Sequence, residues 1–298
     1  MVFEIRTAEP DDAVGIARVW AAAMPHLVRT ARGIENGLRN SKRRVALVAV
    51  DGSDVVGYGN VFLPDPGVQA PRVRISVSVP PELRRRGIGS LLSAAICSEA
   101  ERVGAAGLLV VVEDSDESKE FAIRRGFTIG RRMSHSRADL SAVPSPVPAP
   151  EGLRVADFEQ VGPEQVWRAV VGVVEGDPSG LSFAAPYDEW LATDWADPDL
   201  RRDLSIAVLD GDTVLSFVIT TADPERRVIW SNLTGTIPAA RGRGLAKVVK
   251  SAALTRARDA GFVTAYTGND AANAPMLAVN TWLGYKVSSA AWTAEKAL

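Results

Sequence analysis

This chain has little with which to cross-link itself or to bind a metal. Cys97 is the single cysteine among 298 residues, which excludes an internal disulfide and any multi-cysteine metal centre. His26 and His135 are the only histidines, and neither has a third ligand candidate beside it, so no metal site is expected. No stretch approaches the ~18 apolar residues of a membrane-spanning helix. The start, Met1-Val2-Phe3-Glu4-Ile5-Arg6, lacks the apolar core of a secretory leader. A cytoplasmic protein without a membrane partner is the expectation. An excess of charge is missing too: 34 basic against 36 acidic residues leave a net charge of −2, which gives no general argument for a nucleic-acid partner.

What is present is a repeat. Val79-Pro80-Pro81-Glu82-Leu83-Arg84-Arg85-Arg86-Gly87-Ile88-Gly89 returns in altered letters as Thr236-Ile237-Pro238-Ala239-Ala240-Arg241-Gly242-Arg243-Gly244-Leu245-Ala246. Each copy reads as a strand end, an Arg/Gly turn and the start of an apolar-periodic helix. Such a turn aims the unpaired first amides of a helix, and the positive end of its dipole, at an anion. Small residues let a phosphate approach the backbone, and arginines add charge-assisted contacts. A pyrophosphate-bearing cofactor is the expected ligand, and two copies predict two sites.

The halves around the repeat match in order. The reading predicts opening strands at Ile5 and Leu153, and hairpin turns at Asp51-Gly52 and Asp210-Gly211. A strand follows at 73–79 or 228–237, then the turn and a helix. The helix places Leu91, Leu92, Ala95 and Ile96 on one face in the first half, and Leu245, Val248, Val249 and Ala252 in the second. A further strand at 108–112 or 262–267 leads to a short helix stopped by Gly126-Phe127 or Gly284-Tyr285. Closing strands are predicted at 128–133 and from Lys286 onwards. Pro144, Pro146, Pro148 and Pro150 predict an extended spacer. The expected domains are therefore 1–140 and 151–298, with a linker at 141–150. The fold class is α+β, each half a mixed, mostly antiparallel sheet flanked by helices.

In these motifs the chain resembles the GNAT superfamily of acetyl-CoA-dependent N-acetyltransferases, in its tandem, actinobacterial two-domain form, arranged as in mycothiol synthase. The superfamily loop, Arg/Gln-x-x-Gly-x-Gly/Ala, fits Arg84 to Gly89 and Arg241 to Ala246. The resemblance implies acetyl-CoA as cofactor and a small-molecule amine as acceptor, in a monomer or homodimer. It also implies cofactor contacts from Val77, Val79, Arg84, Arg85, Arg86, Gly87, Ile88, Gly89 and Ser90 in the first half. In the second it implies contacts from Thr236, Ile237, Arg241, Gly242, Arg243, Gly244, Leu245, Ala246 and Asn273. A bulge near 77–79 and 236–237 is implied as well, freeing amides to polarise the thioester beside splayed strands. The superfamily's Asn-x-x-Ala-x-x-Phe-Tyr motif is only half kept. Asn273 or Ser115 stands at the asparagine position, and Asn280 or Ala122 where the tyrosine belongs, so tyrosine acid catalysis there is excluded. A Walker loop is absent, and Lys247 stands where a dinucleotide fingerprint needs a small residue.

Acetyl transfer needs a neutral amine, and with a pKa near ~10 only about one in 10³ is neutral at pH 7. A carboxylate, or a water it holds, can take the proton. Glu175, in a loop broken by Gly176, Pro178 and Gly180, is the favoured base, beside Asp177. Tyr266 and Asn280 complete the catalytic candidates, and Asp270 lies just beyond Tyr266. In the first half the candidate is Glu113, which reads more readily as one of a run of exposed acids. The acidic and aromatic residues Trp167, Tyr187, Glu189, Trp190, Asp194 and Trp195 suit a cationic acceptor or a plain helical core. The reading favours catalysis in the second half; catalysis in the first, or a non-catalytic CoA-binding sensor, are the alternatives.

Overall fold

The computed structural model describes residues 3–63, 71–174 and 184–298. They form two compact units: Met1–Met133 with Ala290–Leu298, and Ser134–Ser289.

Unit 1 runs β1 (Glu4–Thr7), α1 (Ala13–Ala23), α2 (Ala31–Asn40), β2 (Arg44–Asp51), β3 (Asp54–Phe62), β4 (Arg72–Ser78), α3 (Ile88–Arg102), β5 (Gly107–Glu113), α4 (Asp116–Ile123) and the opening of β6 (Thr128–Asp139). Its strands lie in the order β1-β2-β3-β4-β5, followed by the end of β12 (Lys286–Ala297) and then β6. β1, β2, β3 and β4 pair antiparallel, as do β5 and β12, while β4 and β5 are parallel. Apolar residues alternate to both faces. Leu92, Ile96 and Ala100 of α3 pack on Val61, Val73 and Leu108. Ile16, Val19 and Ile34, from α1 and α2, pack on Val48 and Tyr58 of the other face. Each such full burial contributes roughly 1.5–3 kcal/mol. Leu91, expected in this core, is instead 44% exposed, because it stands one position round the helix from Leu92.

Unit 2 repeats the order with β7 (Arg154–Asp157), α5 (Phe158–Val161), α6 (Pro163–Val174), α7 (Tyr187–Trp190), β8 (Ile206–Asp210), β9 (Thr213–Asp223), β10 (Val228–Thr236), α8 (Leu245–Asp259), β11 (Thr264–Asp270), α9 (Ala274–Trp282) and the opening of β12. β7 to β11 are neighbours in sequence order, with β10 and β11 parallel, and residues 134–139 of β6 lie next to β11. Leu245, Val248 and Val249 of α8 pack on Ile206, Val208 and Val218. Gly126 and Gly284 stop the short helices at φ 82° and 88°.

The division differs from the expected 1–140 and 151–298. Each unit takes the strand beside its fifth from the other half of the sequence: Ala290–Leu298 joins unit 1, and residues 134–139 join unit 2. Nor are residues 141–150 a free spacer. Val143 is buried beside Leu254 and Phe262, Val147 and Ala149 pack on the α8 cluster, and the Val147 amide donates to Ser251 Oγ at 3.0 Å. The alternation of proline leaves every second side chain free to pack, and unit 2 uses it.

Candidate active site

The Arg/Gly turns fold alike. In unit 1 the Leu83 and Arg84 amides donate to the Pro80 and Pro81 carbonyls, and in unit 2 Ala240 and Arg241 donate to Ile237 and Pro238. The first arginine then reaches back to the strand end: Arg84 Nε lies 3.4 Å from Val79 O, and Arg241 Nε 3.2 Å from Thr236 O. Two positions of each turn are left-handed, Arg85 (φ 65°) and Gly87 (φ 89°) in unit 1, Gly242 (φ 78°) and Gly244 (φ 75°) in unit 2. Backbone of this alternating hand gathers amides into an anion-binding concavity. It opens at the N-termini of α3 and α8, whose first-turn amides have no carbonyl a turn earlier. Apart from their own chain neighbours, no described residue comes within 4 Å of where a Cβ would project from Gly87, Gly242 or Gly244. A diphosphate fits such a cradle.

The two cradles differ in charge. Arg84 Nη2 lies 3.1 Å from Glu113 Oε2, and Arg85 Nη1 3.6 Å from Glu117 Oε1. Glu113 is thus held by the loop and not poised as a lone base. Arg241 and Arg243 make no ion pair among the described residues.

Beside each cradle the parallel strands part. β4 and β5 pair from Arg72–Gly107 to Arg74–Leu109, and β10 and β11 from Val228–Thr264 to Ser231–Thr267. Past these points the two parallel strands no longer pair with each other, while β4 stays on β3 and β10 on β9. The expected bulge at 236–237 is corrected: the register of β10 on β9 shifts between Ser231 and Leu233, where the pairing with β11 ends. The Ile237 amide is spent on Leu215 O, so it cannot serve as an oxyanion donor. In β4 the register with β3 is unbroken from Ile75 to Ser78, so the bulge expected at 77–79 is absent there.

Of the catalytic candidates, Glu175 and Asp177 lie outside the described residues. Tyr266 stands on β11 opposite Trp230, half-buried. Asn280 is 2% exposed. Its Nδ2 donates to Asn269 Oδ1 at 2.6 Å, while its own Oδ1 has no hydrogen-bond partner among the described residues. Asn273 caps α9, accepting from the Met276 amide at 3.2 Å, as Ser115 caps α4 through the Ser118 amide. This motif position therefore does helix-capping work in both units. The aromatic residues of unit 2 close on one another: Trp167 on Tyr187 at 5.4 Å, Trp190 on Trp195 at 5.6 Å. They belong with Phe158 and Phe217 in one apolar cluster, which is the helical core, the second of the two readings their composition allowed.

Two residues escaped the sequence reading. His135, weighed there only as a metal ligand, sits on the strand that unit 2 receives from the first half. Its ring lies 6.1 Å from Trp230, and both rings come within 3.1 Å of a Cβ position on Gly268, the first β11 residue past the end of pairing. Nδ1 is 3.4 Å from Ser289 Oγ. Burial pushes the imidazole below its ordinary value of 6.5, so it is neutral at pH 7. The second is Lys250, fully buried on α8 with Nζ 5.2 Å from the Tyr285 ring. Burial pushes its ammonium down to about 7. The Tyr285 hydroxyl is 3.4 Å from Ser231 Oγ, at the root of the parted strands.

Comparison with known proteins agrees with this architecture. The Acetyltransferase (GNAT) family pattern matches residues 13–127. The chain is 32% identical over 231 residues to the mycothiol acetyltransferase of Rhodococcus erythropolis, covering 73% of each chain. It is 27% identical over 263 residues to that of Segniliparus rotundus, covering 85% of this chain and 95% of the relative. Among solved structures, a tandem GNAT protein from the clavulanic acid biosynthesis pathway superposes with a TM-score of 0.75 at 19% identity, covering 99% of this chain and 98% of its own. No helix among the described residues is long and apolar enough to cross a membrane. The chain is an N-acetyltransferase and belongs to the GNAT acetyltransferase family.

Proposed function

We propose that the chain moves the acetyl group of acetyl-CoA to the primary amine of a small molecule, by direct attack of the amine, and that the chemistry takes place in unit 2. The contrast between the two cradles carries the choice of unit. Unit 2 has glycine at both left-handed positions and arginines without carboxylate partners among the described residues. Unit 1 has a strained Arg85 and carboxylates against its loop.

In this reading the amides of residues 242–246, with Arg241 and Arg243, hold the diphosphate, and the parted β10 and β11 admit the pantetheine arm. Bound there, acetyl-CoA supplies a thioester carbonyl activated towards an amine. The chain's own residues do the rest. Asn232, the extra residue at the β10 bulge, has no partner on β9 and brings backbone N–H to the carbonyl. An amine arrives as ammonium, and freeing it accounts for roughly 4 kcal/mol at pH 7. His135, kept neutral by burial, accepts that proton. Trp230 and Tyr266 line the approach. Asn280, in the superfamily tyrosine's place, has no acidic proton to give and offers its second amide hydrogen.

The test is the pH profile of kcat/KM. The wild type should lose rate on the acid side as His135 becomes charged. His135→Gln should lower the rate by about 10²–10⁴-fold and remove that acid limb. An unchanged rate and profile in a folded His135→Gln protein would contradict the assignment.

A further inference from the structure

The parted strands of unit 2 have two faces, and the proton acceptor assigned above stands on one of them. Trp230 of β10 lies opposite Tyr266 of β11, with the His135 ring against Trp230. Side chains alternate along a strand, so Ile229 and Ser231, with Ala265 and Thr267, point to the other face. There Ile229 and Ala265 pack in one cluster with Leu254 of α8 and with Tyr285. Ser231 and Thr267 are the last pair before the strands separate, and the Thr267 hydroxyl donates to the Ser231 carbonyl at 3.3 Å.

Lys250 comes to this second face. It precedes Leu254 by one helical turn and shares its side of α8. The cradle lies at the N-terminus of α8, and β10 runs from Ile229 towards it. One turn back from Leu254 therefore brings Lys250 from the level of Ile229 to that of Ser231, where the strands part. The contacts agree: Nζ lies 5.2 Å from the centre of the Tyr285 ring, whose hydroxyl is 3.4 Å from Ser231 Oγ. Lys250 is 1% exposed, and burial alone pushes its ammonium down to about 7. A buried amine that carries charge for half its time at pH 7 is costly, and leucine or methionine would fill the same place without that cost. Unit 1 has neither group. The residue as far beyond Gly87 as Lys250 is beyond Gly244 is Ser93, and Phe127 stands in the place of Tyr285.

The departing sulfur otherwise lacks an acid in unit 2. Asn280 has no acidic proton, and burial pushes the Tyr285 hydroxyl above the ordinary phenol value, which makes it a poorer donor. Resting on the assignment of acetyl transfer to unit 2, we propose that Lys250 serves the sulfur of CoA. As the amine nitrogen bonds to the carbonyl carbon, the C–S bond breaks with its electron pair left on sulfur. The Lys250 ammonium gives one Nζ–H to that sulfur and becomes a neutral amine. The substrate ammonium gives up two protons in becoming an amide, the first through His135. One of the two makes good the loss at Lys250 by way of solvent, and the turnover releases the other. An amine that titrates at about 7 is a competent acid towards a thiolate, whose thiol titrates near ~8.5.

The experiment uses the full chain carrying Gly87→Glu, so that the cradle of unit 2 alone takes CoA, and two further proteins that add Lys250→Met or Lys250→Gln. Circular dichroism checks folding, and calorimetry checks that CoA binds. The ultraviolet absorption of the CoA thiolate, taken as the difference between the CoA and desulfo-CoA complexes, is then followed against pH. With Lys250 present the bound thiol should titrate about one pH unit or more below its value in either variant, because a cation beside sulfur favours the thiolate. A lysine that only fills space would leave that titration unmoved. With one accepted amine, Lys250→Met should lower kcat by about 10²-fold and leave KM for acetyl-CoA within about threefold. The same thiol titration, or the same kcat, in a folded variant that binds CoA would overturn the proposal and leave acetyl transfer in unit 2 standing. A Gly87→Glu protein that binds no CoA, or turns nothing over, would overturn both. If Lys250→Met does not fold, Lys250→Gln decides on the same criterion.

Discussion

Glu113 Oε2 lies 3.1 Å from Nη2 of Arg84, so the first arginine of unit 1's cradle is engaged by a carboxylate at the site where an incoming diphosphate competes with it. Arg241, its counterpart, is bonded to the Thr236 carbonyl at its strand end. A repeated loop has thus kept its backbone path while its electrostatics diverged between the units.

Removing that competition should strengthen the weaker cradle. An exposed ion pair is worth at most about 1 kcal/mol, so Glu113→Gln should tighten CoA binding in unit 1 by up to about fivefold. Calorimetry in a Gly244→Glu background, where only unit 1's cradle remains, measures it. Unchanged or weaker affinity counts against the competition.

Arg85 occupies a left-handed position that unit 2 gives to Gly242. That conformation costs an L-residue about 1–2 kcal/mol, against about 0.5–1 kcal/mol for glycine's lost freedom. Arg85→Gly should therefore stabilise the protein by roughly 0.5–1 kcal/mol, the exposed pair with Glu117 subtracting little. Urea unfolding reads the change, and a loss of stability would show that Arg85 is held by contacts worth more than the strain.

Lys250 makes stability depend on pH with a definite sign. Its folded value is about 7 and its ordinary value 10.5. Between the two the unfolded chain binds the proton that the folded chain has released, so stability rises with pH. The slope should approach about 1.4 kcal/mol per pH unit between pH 7 and 10 and flatten below pH 7. Lys250→Met should remove that rise. A wild-type curve that is flat or falling over this range, matched by the variant, would refute it.

How far the letters alone reach is visible at particular residues. The turns at Gly52 and Gly211, the helix stops at Gly126 and Gly284 and both Arg/Gly cradles lie where glycine and arginine place them, because positive φ and helix N-termini leave few alternatives. The exchange of strands was not legible. The reading ended the closing strand at 133, whereas residues 128–139 form one strand, and only tertiary pairing decides that Met133 belongs to one unit and Ser134 to the other. The bulge at Asn232 was missed for a related reason, since register is a property of two strands and not of one. His135 was hidden because the residues that surround it, Trp230, Gly268 and Ser289, lie at least 95 positions away in sequence.

The central claim, acetyl transfer in unit 2, is tested most directly by kcat/KM of Gly244→Glu and Gly87→Glu side by side with one accepted amine, folding being checked by circular dichroism. Each change places a side chain at positive φ and a negative charge in one anion cradle. Gly244→Glu should cost at least ~10²-fold while Gly87→Glu stays within about fivefold of the wild type. The opposite result in folded proteins, activity lost with Gly87→Glu and kept with Gly244→Glu, would move the chemistry to unit 1 and contradict the account.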